Sequence, residues 1–192
     1  MAAAGLTAKR RRLLGEVLGG AMLSAVGSAD AGKPPLAGPS AAVDHRVPNV
    51  EGEIAMAAIQ DVARQFFEAC EAGKGWAACQ AYCKPNAGFS AQAEPLVDVK
   101  TLQGYADWMQ GLMKMMPDGH YDLKGWATDP ERNNVIAYAT FIATHTGPGG
   151  PPPTGKSTRS DYVYCMAFDG DKIRHMTKIW NAGWALKELG WT

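Results

Sequence analysis

The chain has 192 residues, nineteen Lys and Arg against nineteen Asp and Glu, and 46% hydrophobic residues. That fits one ordinary domain with a real core, and excludes both a disordered chain and a strongly basic nucleic-acid binder. Residues 1–50 hold six Lys/Arg and three Asp/Glu, so the remainder is mildly acidic and unsuited to tracking phosphates.

Lys9, Arg10, Arg11 and Arg12 form a positive cluster, followed by a short Gly-rich apolar region from Leu13 to Val26 and the small-x-small pattern Ala29-Asp30-Ala31. Residues 1–31 therefore read as a targeting leader, either twin-arginine-like and exported or an Arg-rich organelle transit peptide, in preference to a cytoplasmic address. A cationic disordered leader is the alternative. Pro34, Pro35, Pro39 and Pro48 among Gly, Ser and Ala mark 32–50 as a linker, and 51–192 as the folded domain. No run of eighteen apolar residues offers a membrane span.

From Glu53 to Ala72, Ile59, Val62, Ala63, Phe66 and Cys70 recur at helical spacing, with Gly73 as the stop. Trp76 to Tyr82 predicts a short second helix before Pro85, and Gly88-Phe89-Ser90 a short strand. Thr101 caps a third helix, with the stripe Leu102, Tyr105, Met109, Leu112 and Met116, ended by Pro117. The period then turns strand-like: Tyr121 to Thr128, Val135 to Thr146, Asp161 to Phe168, and Lys172 to Trp180. Helices followed by an antiparallel meander predict an α+β fold.

Gly150 to Ser157 matches the phosphate-loop pattern G-x-x-x-x-G-K-[ST], but three prolines remove backbone donors and a strand follows where a helix is needed. It reads as a stiff loop. Cys79-x3-Cys83 has no second Cys/His pair at zinc-site spacing, so core packing is expected and neither a metal nor a cofactor is. The four cysteines (Cys70, Cys79, Cys83, Cys165) make no disulfide framework. His145, at a strand end beside the proline loop, and His175, within the last strand, are the acid–base candidates, because an unperturbed imidazole has its pKa near neutrality. Strict alternation puts Ile173, His175, Thr177, Ile179 and Asn181 on one face of that strand. If this face closes over the helices, it carries His175 and Asn181 into a cavity lined by Trp108, Met109, Tyr138, Tyr164 and Thr177, a form typical of small-molecule sites. Arg174, Met176, Lys178 and Trp180 then fall on the far face, where Arg174, Met176 and Trp180 are available to a partner.

Phe66-Phe67-Glu68-Ala69, Gly73-Lys74-Gly75-Trp76, Met116-Pro117-Asp118, Thr144-His145-Thr146-Gly147 with Pro152-Pro153-Thr154-Gly155-Lys156, Asp169-Gly170-Asp171-Lys172-Ile173 and Glu188-Leu189-Gly190 together resemble the SnoaL-like polyketide cyclases of the nuclear transport factor 2-like superfamily. The resemblance covers about residues 54–191. It implies a cone in which a curved antiparallel sheet wraps helices around a pocket, and a homodimer. It also implies an acid–base Asp at the end of the last strand for an intramolecular aldol closure. That position corresponds to Asn181, an amide that neither takes nor gives a proton near neutrality, and the family's usual Glu and Trp fall at His175 and Thr177.

Three readings follow. In the first, the domain binds an apolar carbonyl-containing small molecule, as a diverged cyclase or isomerase in which Asn181 orients the carbonyl and His175 or His145 handles protons. An orthodox cyclase would need another carboxylate, for which Asp161 is the candidate. The alternative is a non-catalytic subunit of a larger assembly, binding a protein partner through the outer sheet face and the 32–50 tether.

Overall fold

A computed structural model describes residues 50–192; the leader and all but the last residue of the linker lie outside the described residues. Helix α1 (Val50–Glu71) has Glu51 and Glu53 in its first turn, where carboxylates favour the positive end of the helix dipole. It buries Ile59, Ala63, Phe66, Phe67 and Cys70. It stops where Gly73 adopts φ +63°, its N–H donating to the Cys70 carbonyl and that of Lys74 to Ala69. A Cβ at Gly73 would lie 2.6 Å from Met113 Cγ, so both backbone sign and close packing select glycine. A short α2 (Trp76–Cys79) leads into β1 (Cys83–Ala91), a longer strand than expected. It tolerates Pro85 because it lies at the sheet edge. In α3 (Leu102–Met115) the Thr101 hydroxyl accepts from Gly104 N at 3.0 Å, and Leu102, Tyr105, Ala106, Met109 and Leu112 are buried.

The remaining strands are β2 (His120–Asp129), β3 (Asn134–Thr144), β4 (Ser157–Asp169) and β5 (Lys172–Trp180), followed by α4 (Ala182–Leu189), a helix not foreseen. The sheet order is β1-β5-β4-β3-β2; β2 to β5 form the antiparallel meander, whereas β1 joins parallel to β5. The helices cover one face of the sheet. Towards them point Val135, Ala137 and Ala139 from β3, and Tyr162, Tyr164 and Met166 from β4.

The facing of β5 reverses the expectation from strict alternation. Ala167 pairs with His175 and Phe168 with Ile173, so Arg174 is the extra residue of a β-bulge, and a bulge shifts side-chain parity by one. Beyond it Met176 and Lys178 are buried, while Ile179 is 65% exposed. Met176 and Trp180 are thus interior residues and do not join Arg174 on an outer surface.

Phe67 is the hub of the aromatic core. Its ring stands edge-on to Tyr121 (4.9 Å between centroids), Trp126 (6.0 Å) and Tyr164 (5.3 Å), and stacks with Tyr162 at 6.3 Å. Truncating it opens a cavity between α1 and the sheet. Phe67→Ala is expected to cost about 3–5 kcal/mol, read as a lower urea midpoint at unchanged slope.

Candidate functional site

Where α1, α3 and the sheet meet, four polar side chains form a buried chain. Lys178 Nζ on β5 donates to Tyr105 Oη on α3 at 2.8 Å. Tyr105 Oη bonds Tyr164 Oη on β4, and Tyr164 donates to Glu71 Oε1 in the last turn of α1. The polarity is consistent from end to end: the amine donates, each hydroxyl accepts once and donates once, and the carboxylate accepts. All four residues are buried, Lys178 with 6% exposure.

The surroundings are aromatic. Lys178 Nζ lies 4.7 Å from the Tyr162 ring centroid, 5.2 Å from Tyr105 and Trp180, 5.4 Å from Tyr164 and 6.0 Å from Trp108, within the range of cation–π attraction. Burial pushes the amine below its ordinary value, opposed by the Glu71 carboxylate and by Cys70. Burial, aided by Glu71, holds the Tyr105 and Tyr164 hydroxyls well above theirs, so both stay protonated. Tyr162 Oη is pushed up by the same burial and neighbouring carboxylate, yet it is enclosed without a well-formed hydrogen bond.

Lys178 also forms part of the wall of an apolar cavity of about 40 Å³, enough for about one water molecule. Trp108, Met109 and Leu112 of α3 and Met116 just beyond its end line it from one side, with Phe141, Thr158 and Trp180 of the sheet. The C-terminal segment closes it with Ala185, Leu186, Leu189 and Trp191. Among these described lining residues Lys178 is the only ionisable one. The closing segment starts from a capped helix end and is tethered at two further points. Asn181 caps α4 by accepting from Trp184 N at 3.4 Å. Glu188 Oε2 accepts from Thr158 Oγ1 (2.9 Å) and Arg159 N (2.8 Å), bonds that lower its carboxyl below the ordinary value. Trp191 Nε1 donates to His145 Nδ1 at 3.1 Å.

The SnoaL-like domain family matches residues 63–176, more than half of the chain. The chain belongs to the SnoaL-like domain family. Its fold is shared by solved structures of low identity. AclR, a proposed hydroxylase from Streptomyces galilaeus, is 20% identical with a TM-score of 0.58 over 71% of this chain and 98% of that one. A proposed SnoaL-like polyketide cyclase from Jannaschia sp. CCS1 is 13% identical, TM-score 0.60, covering 70% and 93%. IdmH, a proposed polyketide cyclase from Streptomyces antibioticus, is 17% identical, TM-score 0.57, covering 69% and 98%. No curated protein matches.

Within this SnoaL-like domain the residues singled out from sequence separate. Trp108 and Met109 line the cavity, and Tyr164 sits in the polar chain beside it. Asn181 is exposed and serves as a helix cap, away from the cavity lining. The bulge turns His175 and Thr177 to the outer side, where Ser90 Oγ bonds His175 Nε2 at 3.0 Å and Thr177 Oγ1 at 2.9 Å. Tyr138, 40% exposed, lies on that side too; its hydroxyl donates to Asp161, which also accepts from Thr140 Oγ1 at 2.7 Å. His145 is fully buried behind Trp191. There it ties down the proline loop: Gly155 N donates to its carbonyl at 2.9 Å, and Thr154 N to its Nδ1 at 3.3 Å. None of Asn181, His175 and His145 lines the cavity. Cys70, Cys79 and Cys83 are buried free thiols, burial raising Cys83 to about 12. Among the described residues no group of three or more His, Cys, Asp or Glu could hold a metal ion, and no helix is long and apolar enough to cross a membrane.

Sequence reasoning missed Lys178, Glu71 and Tyr105 as functional candidates, and only Lys178 was hidden by strand alternation. Glu71 had a visible signal: it continues the apolar row Ile59, Ala63, Phe67 at steps of four and so had to be buried. If the chain is one electrostatic unit, Glu71→Gln strands a buried ammonium and costs about 3–5 kcal/mol. The double variant Glu71→Gln/Lys178→Met should then cost at least about 1 kcal/mol less than the two singles summed. Urea unfolding of the four proteins measures this; additivity would mean independent groups.

Proposed function

We propose that the domain binds an apolar carbonyl compound in the cavity beside Lys178, as a diverged cyclase or isomerase. The observation that carries this reading is a buried amine, wired through two tyrosines to a carboxylate, on the wall of an otherwise apolar cavity. A ligand carbonyl there would accept from the amine, and aromatic rings would supply most of the contact area. Carbonyl polarisation by a positioned cation is what enolisation and aldol chemistry require, because negative charge grows on that oxygen in the transition state. The chain Tyr105–Tyr164–Glu71 offers a path for the proton that must leave or arrive. The polyketide-cyclase names of the structural neighbours agree with this class of substrate. Since the closed cavity holds little more than a water, this reading requires the eight-residue α4 and Trp191 to move aside for the ligand.

Cyclohexanone, acetophenone and 1-acetonaphthone, titrated while tryptophan fluorescence is followed, form a graded set of probes. Binding is expected to tighten with apolar size, and to weaken about tenfold or more in Lys178→Met through loss of a charged hydrogen bond. Asn181→Asp, which keeps the cap, should leave affinity within about twofold. Equal affinity of Lys178→Met and the parent protein would count against the reading.

A second reading, self-association through the outer sheet face, is favoured by one row of side chains. Tyr138 pairs with Val163, and Val163 with Ile179, placing three apolar residues side by side across three strands, with Ile179 65% exposed. If two copies meet there, Ile179→Lys converts the parent dimer to monomer in sedimentation velocity. A monomeric parent at micromolar concentration would refute this reading.

A further inference from the structure

We propose that Lys178 is a covalent anchor, its amine condensing with an aldehyde or ketone carbonyl to form an imine. The inference deepens the carbonyl-binding reading above and rests on it. An amine acts as a nucleophile only when unprotonated, and a lysine in water at neutral pH is almost wholly protonated. The hydrogen-bonded chain supplies a way round this. If each proton along Lys178–Tyr105–Tyr164–Glu71 moves one place, the ammonium–carboxylate pair becomes a neutral amine and a neutral carboxylic acid. No net charge has then moved into or out of the core. Burial brings that neutral arrangement within reach, because it lowers the proton affinity of the Lys178 amine and separated charges are costly away from water.

The condensation balances within the chain's own groups. The amine lone pair forms the C–N bond while the carbonyl π pair moves to oxygen. The oxygen collects one proton from the nitrogen and one from Glu71, relayed through Tyr164 and Tyr105, and leaves as water. What remains is a protonated imine on Lys178 and the Glu71 carboxylate, the same pair of opposite charges the core held at the start. Once α4 and Trp191 close again over the bound carbonyl, the apolar surroundings leave little room for the water that reverse hydrolysis needs. The protonated imine is itself an electron sink, the property needed to acidify the adjacent C–H in an aldol or isomerisation step.

The test is reductive trapping on the full-length protein. Acetone and cyclohexanone are incubated with it in the presence of sodium cyanoborohydride, which supplies the hydride, and adducts are read by intact mass and peptide mapping. The expected result is a gain equal to the ketone less its oxygen atom, located on Lys178 at a rate about tenfold or more above any exposed lysine. Tyr105→Phe, which keeps the amine and cuts the relay, should slow trapping about tenfold. The map of the parent protein carries the result even if a Lys178 variant fails to fold. Ketone binding by fluorescence with no adduct at Lys178 would overturn the imine and leave the carbonyl-binding reading intact. Neither binding nor trapping would overturn both. Adducts spread evenly over surface lysines would also overturn the imine.

Discussion

Two opposite charges buried in an aromatic core are the constraint around which the rest of this domain is arranged. Neither Glu71 nor Lys178 could be enclosed alone, since desolvation of a single unpaired ion outweighs what packing returns. They are not in direct contact; Tyr105 and Tyr164 fill the gap and satisfy both. The four residues come from α1, α3, β4 and β5, so the chain is complete only when all four elements are docked. Such a network trades stability for uniqueness, because any slip of a helix or strand register leaves a buried group without its partner.

The order of elements was legible in the sequence because it is written in local signals. Thr101 caps α3, Pro117 follows its end, and Gly170 turns the β4–β5 hairpin with φ +62°. The orientation of β5 was not legible. Alternation predicts facing only while pairing stays in register, and the extra residue at Arg174 is defined by a partner strand, not by anything in β5 itself. One unpaired residue moved His175 and Thr177 outward and brought Lys178 in. Asn181 falls at the start of α4, where its amide does what Asn commonly does at helix starts. The parallel pairing of β1 with β5 is likewise a long-range fact. Glu71 and Tyr105 were within reach, since both lie on apolar helical stripes where a polar group demands a partner.

The segment that most resembles the family, Thr144–Gly147 with the proline loop, acts here as a fastening. His145 ties the loop and Trp191 together, and Gly147 packs so tightly on the end of α3 that a Cβ would lie 2.0 Å from the Lys114 carbonyl oxygen. Its N–H, with that of Thr146, reaches the Met115 carbonyl, one of the acceptors a helix end leaves open. The motif thus ties the proline loop and the C-terminal tryptophan to the end of α3.

The bulge at Arg174 gives this scaffold an unusual evolutionary lever. Removing or shifting one residue there would exchange the two faces of the strand beyond it, replacing an inward amine by the inward imidazole and hydroxyl of His175 and Thr177. Point substitution changes one functional group at a time, whereas a single-codon deletion here would swap a whole set together. A relative one residue shorter or longer at this hairpin would present a different set of β5 side chains to the same cavity.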